Sequence, residues 1–404
     1  MRNFTDVAII GAGPYGLSLA AHLDTLGVSF RIFGKPLDTW RNHMPRTMQL
    51  KSEGLASSLS SPKAGSRIED YYAAHGLDYQ DHDLPVPLAH FNAYATTFAE
   101  RFVPTLEDTL VTNVTRGNEL FTLTLATGET LTARQVVCAV GITAFAYTPE
   151  VLADLPAGHR SHSFDHRDAD QFKGKDVVVL GAGSSAIDTA ALLDDCGAKV
   201  TIVARTDVVR YHNPPDPGAG TLFKSIQKPP TGIGPGWRSF FCVHLPLVFH
   251  KLPEALRLRA TRTHLGPAPG WFMRECIEGR IPTLLQHHLD RAELRDGRVT
   301  LAVRGPDGAC TLSCDHVVSA TGYRIDVERL NWLASLAPAI DTVEKTPILT
   351  DNFESSIPGL YFVGPAAANS FGPLMRFMVG SEFAAPRLAG HLARTCAGRM
   401  SKAA

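Results

Sequence analysis

The chain has 404 residues, 44% hydrophobic and 20% charged, with a formal net charge of −1. That is the balance of a globular protein long enough for two cores, and it gives no electrostatic reason to expect nucleic acid. The longest apolar run, 240–249, is broken by His244 and Pro246 and is too short to span a bilayer.

Residues 1–6 lead straight into a first strand, which leaves no room for a signal peptide and points to a cytoplasmic protein. Val7-Ala8-Ile9-Ile10 reads as a buried strand, Gly11-Ala12-Gly13-Pro14-Tyr15-Gly16 as a glycine turn, and 17–26 as a helix. Gly11 permits the tight turn, Gly13 lets backbone approach a pyrophosphate, and Gly16 lets helix pack on strand. Phosphates would then meet the helix N-terminus, where unpaired N–H groups and the dipole favour negative charge, beside Pro14 and Tyr15. A second strand over 28–33 ends in Gly34-Lys35, where the fingerprint usually has an acid for the adenosine ribose. Gly34 leaves room for backbone groups to take that contact, with Lys35 beside it.

The segment Trp40-Arg41-Asn42-His43-Met44-Pro45-Arg46-Thr47-Met48-Gln49-Leu50-Lys51-Ser52 follows, read by itself as an irregular loop. Strands at 110–111, 121–125 and 130–137, with a hairpin turn at 126–129, form an antiparallel meander, and Pro149 and Pro156 mark a linker. His159, His162 and His166 have metal-like spacing, but histidines in a linker are more often solvated, and no metal is expected. None of the seven cysteines makes a C-x-x-C pair, which counts against a disulfide framework, a zinc site or a redox-active disulfide.

The opening pattern then returns. Residues 176–180 form a strand, Gly181-Ala182-Gly183-Ser184-Ser185-Ala186 the turn, and 187–196 a helix; the third position needs only a small side chain, which Ala186 supplies. Two such units imply two nucleotides facing each other. The strand 199–204 ends in Arg205-Thr206 instead of an acid, so Arg205 can grip a 2′-phosphate, with Thr206 adding a hydroxyl, which favours NADPH over NADH.

Residues 211–270 change rhythm, with Pro- and Gly-rich punctuation between short helical pieces. The stretch is basic through Lys224, Lys228, Arg238, Lys251, Arg257, Arg259 and Arg262, and aromatic through Phe223, Trp237, Phe240 and Phe241. It reads as a cap over the active site: a pocket for an anionic or aromatic substrate, a face for a membrane or partner chain, or a lid with a solvated basic rim. A hairpin at 298–303 and 311–318 leads into Ala320-Thr321-Gly322-Tyr323. A buried strand ends at Gly364-Pro365, and Phe371-Gly372-Pro373-Leu374 opens a helix to Leu392, with a fraying tail from Ala393.

Two glycine fingerprints flanking a W-R…M-Q…L-K segment, followed by H-S…F-x-G-K at 162–175 and by A-T-G-Y, resemble the single-chain flavoprotein monooxygenases. That superfamily includes the flavin-containing monooxygenases and the ornithine/lysine N-hydroxylases. The resemblance implies FAD and NADPH as cofactors. It implies an α/β fold of two Rossmann-like domains, the second inserted in the first, with a helical cap. Residues 1–155 and 320–404 would bind FAD, and 156–319 would bind NADPH, the cap being 211–270. It implies that NADPH reduces FAD, O₂ adds at flavin C4a, and one oxygen passes from the (hydro)peroxide to a small-molecule substrate, most readily at nitrogen or sulfur. Lys51 and Gln49 become the candidate catalytic residues. Lys35, Trp40, Arg41, Met48, Thr321, Gly322, Gly364, Phe371 and Leu374 join the two glycine turns as candidate cofactor contacts. An FAD-dependent NAD(P)H reductase or oxidase without oxygen insertion and a non-catalytic flavin-binding protein are the alternatives, and a homo-oligomer remains open.

Overall fold

The computed structural model describes residues 3–214 and 226–403, and its longer strands sort into two largely parallel sheets and one antiparallel sheet. Phe223 and Lys224 lie outside the described residues. The first sheet starts with β1 (Phe4–Ile10), the glycine turn, α1 (Pro14–Thr25) and β2 (Phe30–Phe33). Val7 to Ile10 are buried on both faces, as a central parallel strand requires. Pro14 takes the first helical position, where its missing N–H costs no intrahelical bond.

Three helices follow, α2 (Asp38–Asn42), α3 (Ile68–Ala74) and α4 (Leu88–Phe102), then β3 (Val111–Arg116), β4 (Phe121–Leu125) and β5 (Thr130–Cys138). The expected meander forms: β3–β4 and β4–β5 pair antiparallel, while β5 also runs parallel to β1. Arg31 on β2 joins this lobe by donating to both Glu107 oxygens at 2.7 and 2.6 Å and to Glu129 at 2.8 Å.

The second sheet has order β6-β13-β7-β8-β9 and is parallel throughout. Its strands are β6 (Arg160–His162), β7 (Asp176–Leu180), β8 (Lys199–Val203), β9 (Thr283–Leu284) and β13 (His316–Ser319), with α5 (Ser184–Asp195) after the second glycine turn. Between β8 and β9 lie α6 (Trp237–His244), α7 (Pro246–His250), α8 (Glu254–Thr263) and α9 (Arg274–Ile277).

The hairpin expected over 298–318 is instead a three-stranded antiparallel sheet, β10 (His288–Arg295), β11 (Arg298–Gly305) and β12 (Gly308–Cys314). The chain breaks at Asp315, whose carboxylate accepts from the Asp176 N–H and from Arg298, and β13 then joins the other sheet. One expected strand thus serves two sheets.

A small hairpin, β14 (Thr342–Val343) with β15 (Thr346–Pro347), precedes β16 (Leu360–Phe362), which returns to pair with β5 in the first sheet. The C-terminal helix does not open at Pro373. Instead α10 (Ala368–Phe371) stops at Gly372, whose φ of 91° ends it, and short 3₁₀ turns lead to α11 (Ser381–Ala403). The tail from Ala393 is helical as far as Ala403, within α11. This α11 packs along α1.

Candidate functional site

At the first glycine turn the backbone is as close as backbones come. Gly11 has φ +115°, and a Cβ there would sit 2.3 Å from the Ala139 carbonyl oxygen; one on Gly16 would sit 1.9 Å from the Gly11 oxygen. Both positions are glycine because protein atoms forbid anything else. Gly13 is different: a Cβ there meets nothing within 4 Å. Its open side faces where the α1 N-terminus presents unpaired N–H groups, a cradle that fits a pyrophosphate.

The other residues expected around this turn divide. Tyr15 is buried, and its hydroxyl donates to the Met375 and Phe377 carbonyls at 3.1 and 2.8 Å, so it staples α1 to the C-terminal turns. Burial pushes its phenol well above the ordinary range. Gly364, with φ +75°, packs against that ring. Phe371 is stacked between His250 and Phe353, at 4.8 and 4.2 Å, and Leu374 is buried in the same cluster, so both belong to the core. Lys35 and Arg41 are exposed, and Trp40 leans on Phe91 at 5.7 Å. Beside Gly34, the Glu107 backbone accepts the Gly34 N–H, but its carboxylate is committed to Arg31.

The second turn repeats the logic of the first. Gly181 has φ +130°, with a Cβ position 2.4 Å from the Ala320 oxygen, so the turn rests on the A-T-G-Y segment. Thr321 donates its hydroxyl to the Tyr147 carbonyl, and Gly322 accepts from the Tyr147 N–H and lies 3.2 Å from His162 Nε2. These two residues lock the crossover between the sheets. The neighbouring histidines are likewise engaged: His166 and His316 meet the Ser161 hydroxyl at 2.6 and 2.7 Å.

At the mouth of this turn the Ser184 N–H donates to the Pro267 carbonyl at 2.9 Å, and a Cβ on Gly183 would sit 3.2 Å from Pro267. The cap loop thus places a carbonyl oxygen where the α5 N-terminus would hold a phosphate oxygen. Arg205 is exposed at the end of β8 and makes no ion pair among the described residues. The Thr206 hydroxyl donates to the Val208 carbonyl at 3.0 Å in a local turn.

Lys51 is where the two units meet. Its Nζ donates to Asp188 Oδ1 at 2.8 Å and to the Gln49 carbonyl at 3.2 Å, and it lies 5.3 Å from the Phe272 ring centroid. Asp188 sits on the second turn of α5 and is 5% exposed; its other oxygen accepts from the Ser184 hydroxyl at 3.2 Å. Burial raises the Asp188 pKa, and Lys51 and Ser184 pull it back. Gln49 enters this contact through its backbone only, with Met48 beside it. Asp188, Pro267 and Phe272 are absent from the sequence expectations. Asp188 alone left a signal, a carboxylate four residues after Ser184 inside an otherwise apolar helix face.

Residues 8–219 match the profile of the family described as pyridine nucleotide-disulphide oxidoreductase. A ferredoxin–NADP reductase of Streptococcus mutans is 30% identical over 215 residues, 52% of this chain and 56% of that protein. The chain thus spans about half the length of that reductase. The indole-3-pyruvate monooxygenase YUCCA1 of Oryza sativa subsp. japonica is 29% identical over 395 residues, 88% of this chain and 85% of that protein. Among solved structures, the ornithine hydroxylase PvdA of Pseudomonas aeruginosa superposes with a TM-score of 0.78 at 17% identity, covering 97% of this chain and 99% of that one. That likeness shows the fold, two Rossmann-like units on one chain.

Proposed function

The chain belongs to the pyridine nucleotide-disulphide oxidoreductase family, and from that premise we propose that it is an FAD- and NADPH-dependent monooxygenase. It would transfer one oxygen atom from O₂ to a small-molecule substrate, at nitrogen or sulfur. The observation that carries this reading is the Lys51–Asp188 pair, which brings the W-R…M-Q…L-K segment of the first unit onto the helix of the second dinucleotide turn. That is the juncture at which hydride would pass between cofactors and oxygen would be used. Similarity to YUCCA1 along most of the chain and the lack of any C-x-x-C support oxygen chemistry over disulfide exchange.

The chemistry that a reduced flavin supplies when bound is activation of O₂ for transfer of a single oxygen atom. The residues' share is binding, charge placement and exclusion of water. The open side of Gly13 and the α1 N-terminus would hold the FAD phosphates, with the amide N–H groups donating. At the second turn the Ser184 N–H, now donating to Pro267, would be available to a phosphate once that loop moves, and Arg205 would hold the 2′-phosphate. Lys51, fixed by Asp188 and covered by Phe272, holds one positive charge in a half-buried site, where it acts more strongly than in water.

The test is NADPH consumption by the FAD-loaded protein under ¹⁸O₂ with a panel of amines and thioethers. Substrate-stimulated consumption with one labelled oxygen in the product is expected. Consumption that yields only hydrogen peroxide overturns the proposal. It would favour the second reading, an FAD-dependent NAD(P)H oxidoreductase without oxygen insertion, to which the likeness to the Streptococcus mutans reductase points.

A further inference from the structure

The cap carries a face that neither unit uses. On α6, α7 and the segment into α8, the inward residues Ser239, Cys242, Pro246 and Phe249 are buried. The outward ones are Trp237, Phe241, Leu245, Val248, Leu252 and Leu256, all exposed, from 38 to 57%. Along α6 and α7 the spacing of 4, 4 and 3 residues follows the helical repeat, and the Leu245 N–H to Phe241 and Phe249 N–H to Leu245 bonds carry it across their junction; Leu252 precedes the break at Pro253 and Leu256 lies on α8 after it. Trp237, Phe241, Leu245 and Val248 thus place exposed apolar side chains along the outside of α6 and α7, with Leu252 and Leu256 on the next stretch of chain, a stripe of more than scattered single exposures.

Charge says what such a stripe meets. Between 226 and 264 the cations are Lys228, Arg238, Lys251, Arg257, Arg259 and Arg262, against Glu254 as the one acid. Lys251 and Arg262 are spent on Asp351 and Glu344. Lys228, Arg238 and Arg259 are exposed and make no ion pair among the described residues. Arg238 stands three residues before Phe241 and Arg259 three after Leu256, so each end of the stripe has a cation on its flank. A second copy docking through this face in a two-fold interface would set those cations against their own equivalents. An anionic surface satisfies them.

We propose that the α6–α8 face docks the protein on the surface of an anionic lipid bilayer, with Trp237, Phe241 and Val248 entering the headgroup boundary and Arg238 and Arg259 meeting phosphates. Aromatic and aliphatic side chains on one face with arginine at its edges are the composition of interfacial helices. The docking is peripheral, since no helix among the described residues is long and apolar enough to cross a membrane.

The experiment is co-sedimentation of the full-length protein with vesicles of phosphatidylcholine alone and of phosphatidylcholine with 30% phosphatidylglycerol. Binding to the anionic vesicles at least tenfold tighter than to the neutral ones, and lost in 0.5 M salt, is expected. Arg238→Glu/Arg259→Glu and, separately, Phe241→Ser/Val248→Ser should each weaken it at least tenfold while far-UV circular dichroism and flavin content stay unchanged. Equal binding to both vesicles, binding to neither, or a concentration-dependent dimer that the serine variant dissociates would overturn the proposal. None of these readouts depends on the oxygenation reading.

Discussion

Lys51→Met tests the centre of the site, because it leaves the Asp188 carboxylate buried at 5% exposure with only the Ser184 hydroxyl on it. Removing one partner of a buried pair costs about 3–5 kcal/mol. A ceiling comes from titration: protonating an ordinary aspartate of pKa about 3.9 costs about 4 kcal/mol at pH 7 and about 2 at pH 5.5. The expected loss for Lys51→Met is therefore about 3 kcal/mol near neutrality and about 2 at pH 5.5. The sign follows from the raised Asp188 pKa. A carboxyl whose folded pKa lies above the unfolded one favours the fold at low pH, and that favour is lost as pH rises through the folded value. In the variant this loss grows, so its urea midpoint should fall with rising pH more steeply than the wild type's. Lys51 is 20% exposed on its side chain and can reach water, so Asp188→Asn should cost only about 1 kcal/mol. The double variant should match Asp188→Asn, giving a coupling of about 3 kcal/mol near neutrality and about 2 at pH 5.5. Urea unfolding at saturating FAD, at pH 5.5 and 7.5, reads all four corners. Simple additivity, or a Lys51→Met loss under 1 kcal/mol with no added pH slope, refutes the reasoning.

Arg205→Ala should raise the KM for NADPH about ten- to a hundredfold, the worth of one charged contact of about 1.5–3 kcal/mol, and leave NADH nearly unchanged; equal effects on both would remove Arg205 from the 2′-phosphate. Gly13→Ala should fold, because its Cβ meets nothing, yet bind FAD at least tenfold more weakly, whereas Gly16→Ala, 1.9 Å from the Gly11 oxygen, should impair folding itself. Full flavin content in Gly13→Ala would place the phosphates elsewhere. Burial lowers the His316 pKa to about 4, so stability present above the unfolded histidine pKa of about 6.5 should decline as pH falls from there to about 4; a Tm flat between pH 7 and 4.5 would contradict it. NADP⁺ should displace Pro267 from the Ser184 N–H and change the fluorescence of Trp271, four residues on, with Trp271→Phe abolishing the signal; a titration by Trp fluorescence that shows binding without that component would leave the loop in place.

Local order sufficed for the elements whose reasons are local. Each strand–turn–helix unit carries its own apolar run, its own small residues and its own helix start, so Gly11, Gly16 and Gly181 were legible before any coordinates. The β3–β5 meander was legible for the same reason, through period-2 alternation and a hairpin turn. Tertiary structure decided what depends on residues far apart. Nothing near Tyr15 announces that its hydroxyl is used by carbonyls some 360 positions away, nor near Phe371 that two rings enclose it. Asp315 splits one expected strand between two sheets by accepting from Asp176, a contact 139 residues long. The Lys51 ammonium finds Asp188 across 137 residues, because a loop of one unit packs onto a helix of the other. Sequence fixes which backbones can bend into a phosphate turn, since that is a matter of a few consecutive dihedrals; which charge stands beside which is settled only by how the finished units pack.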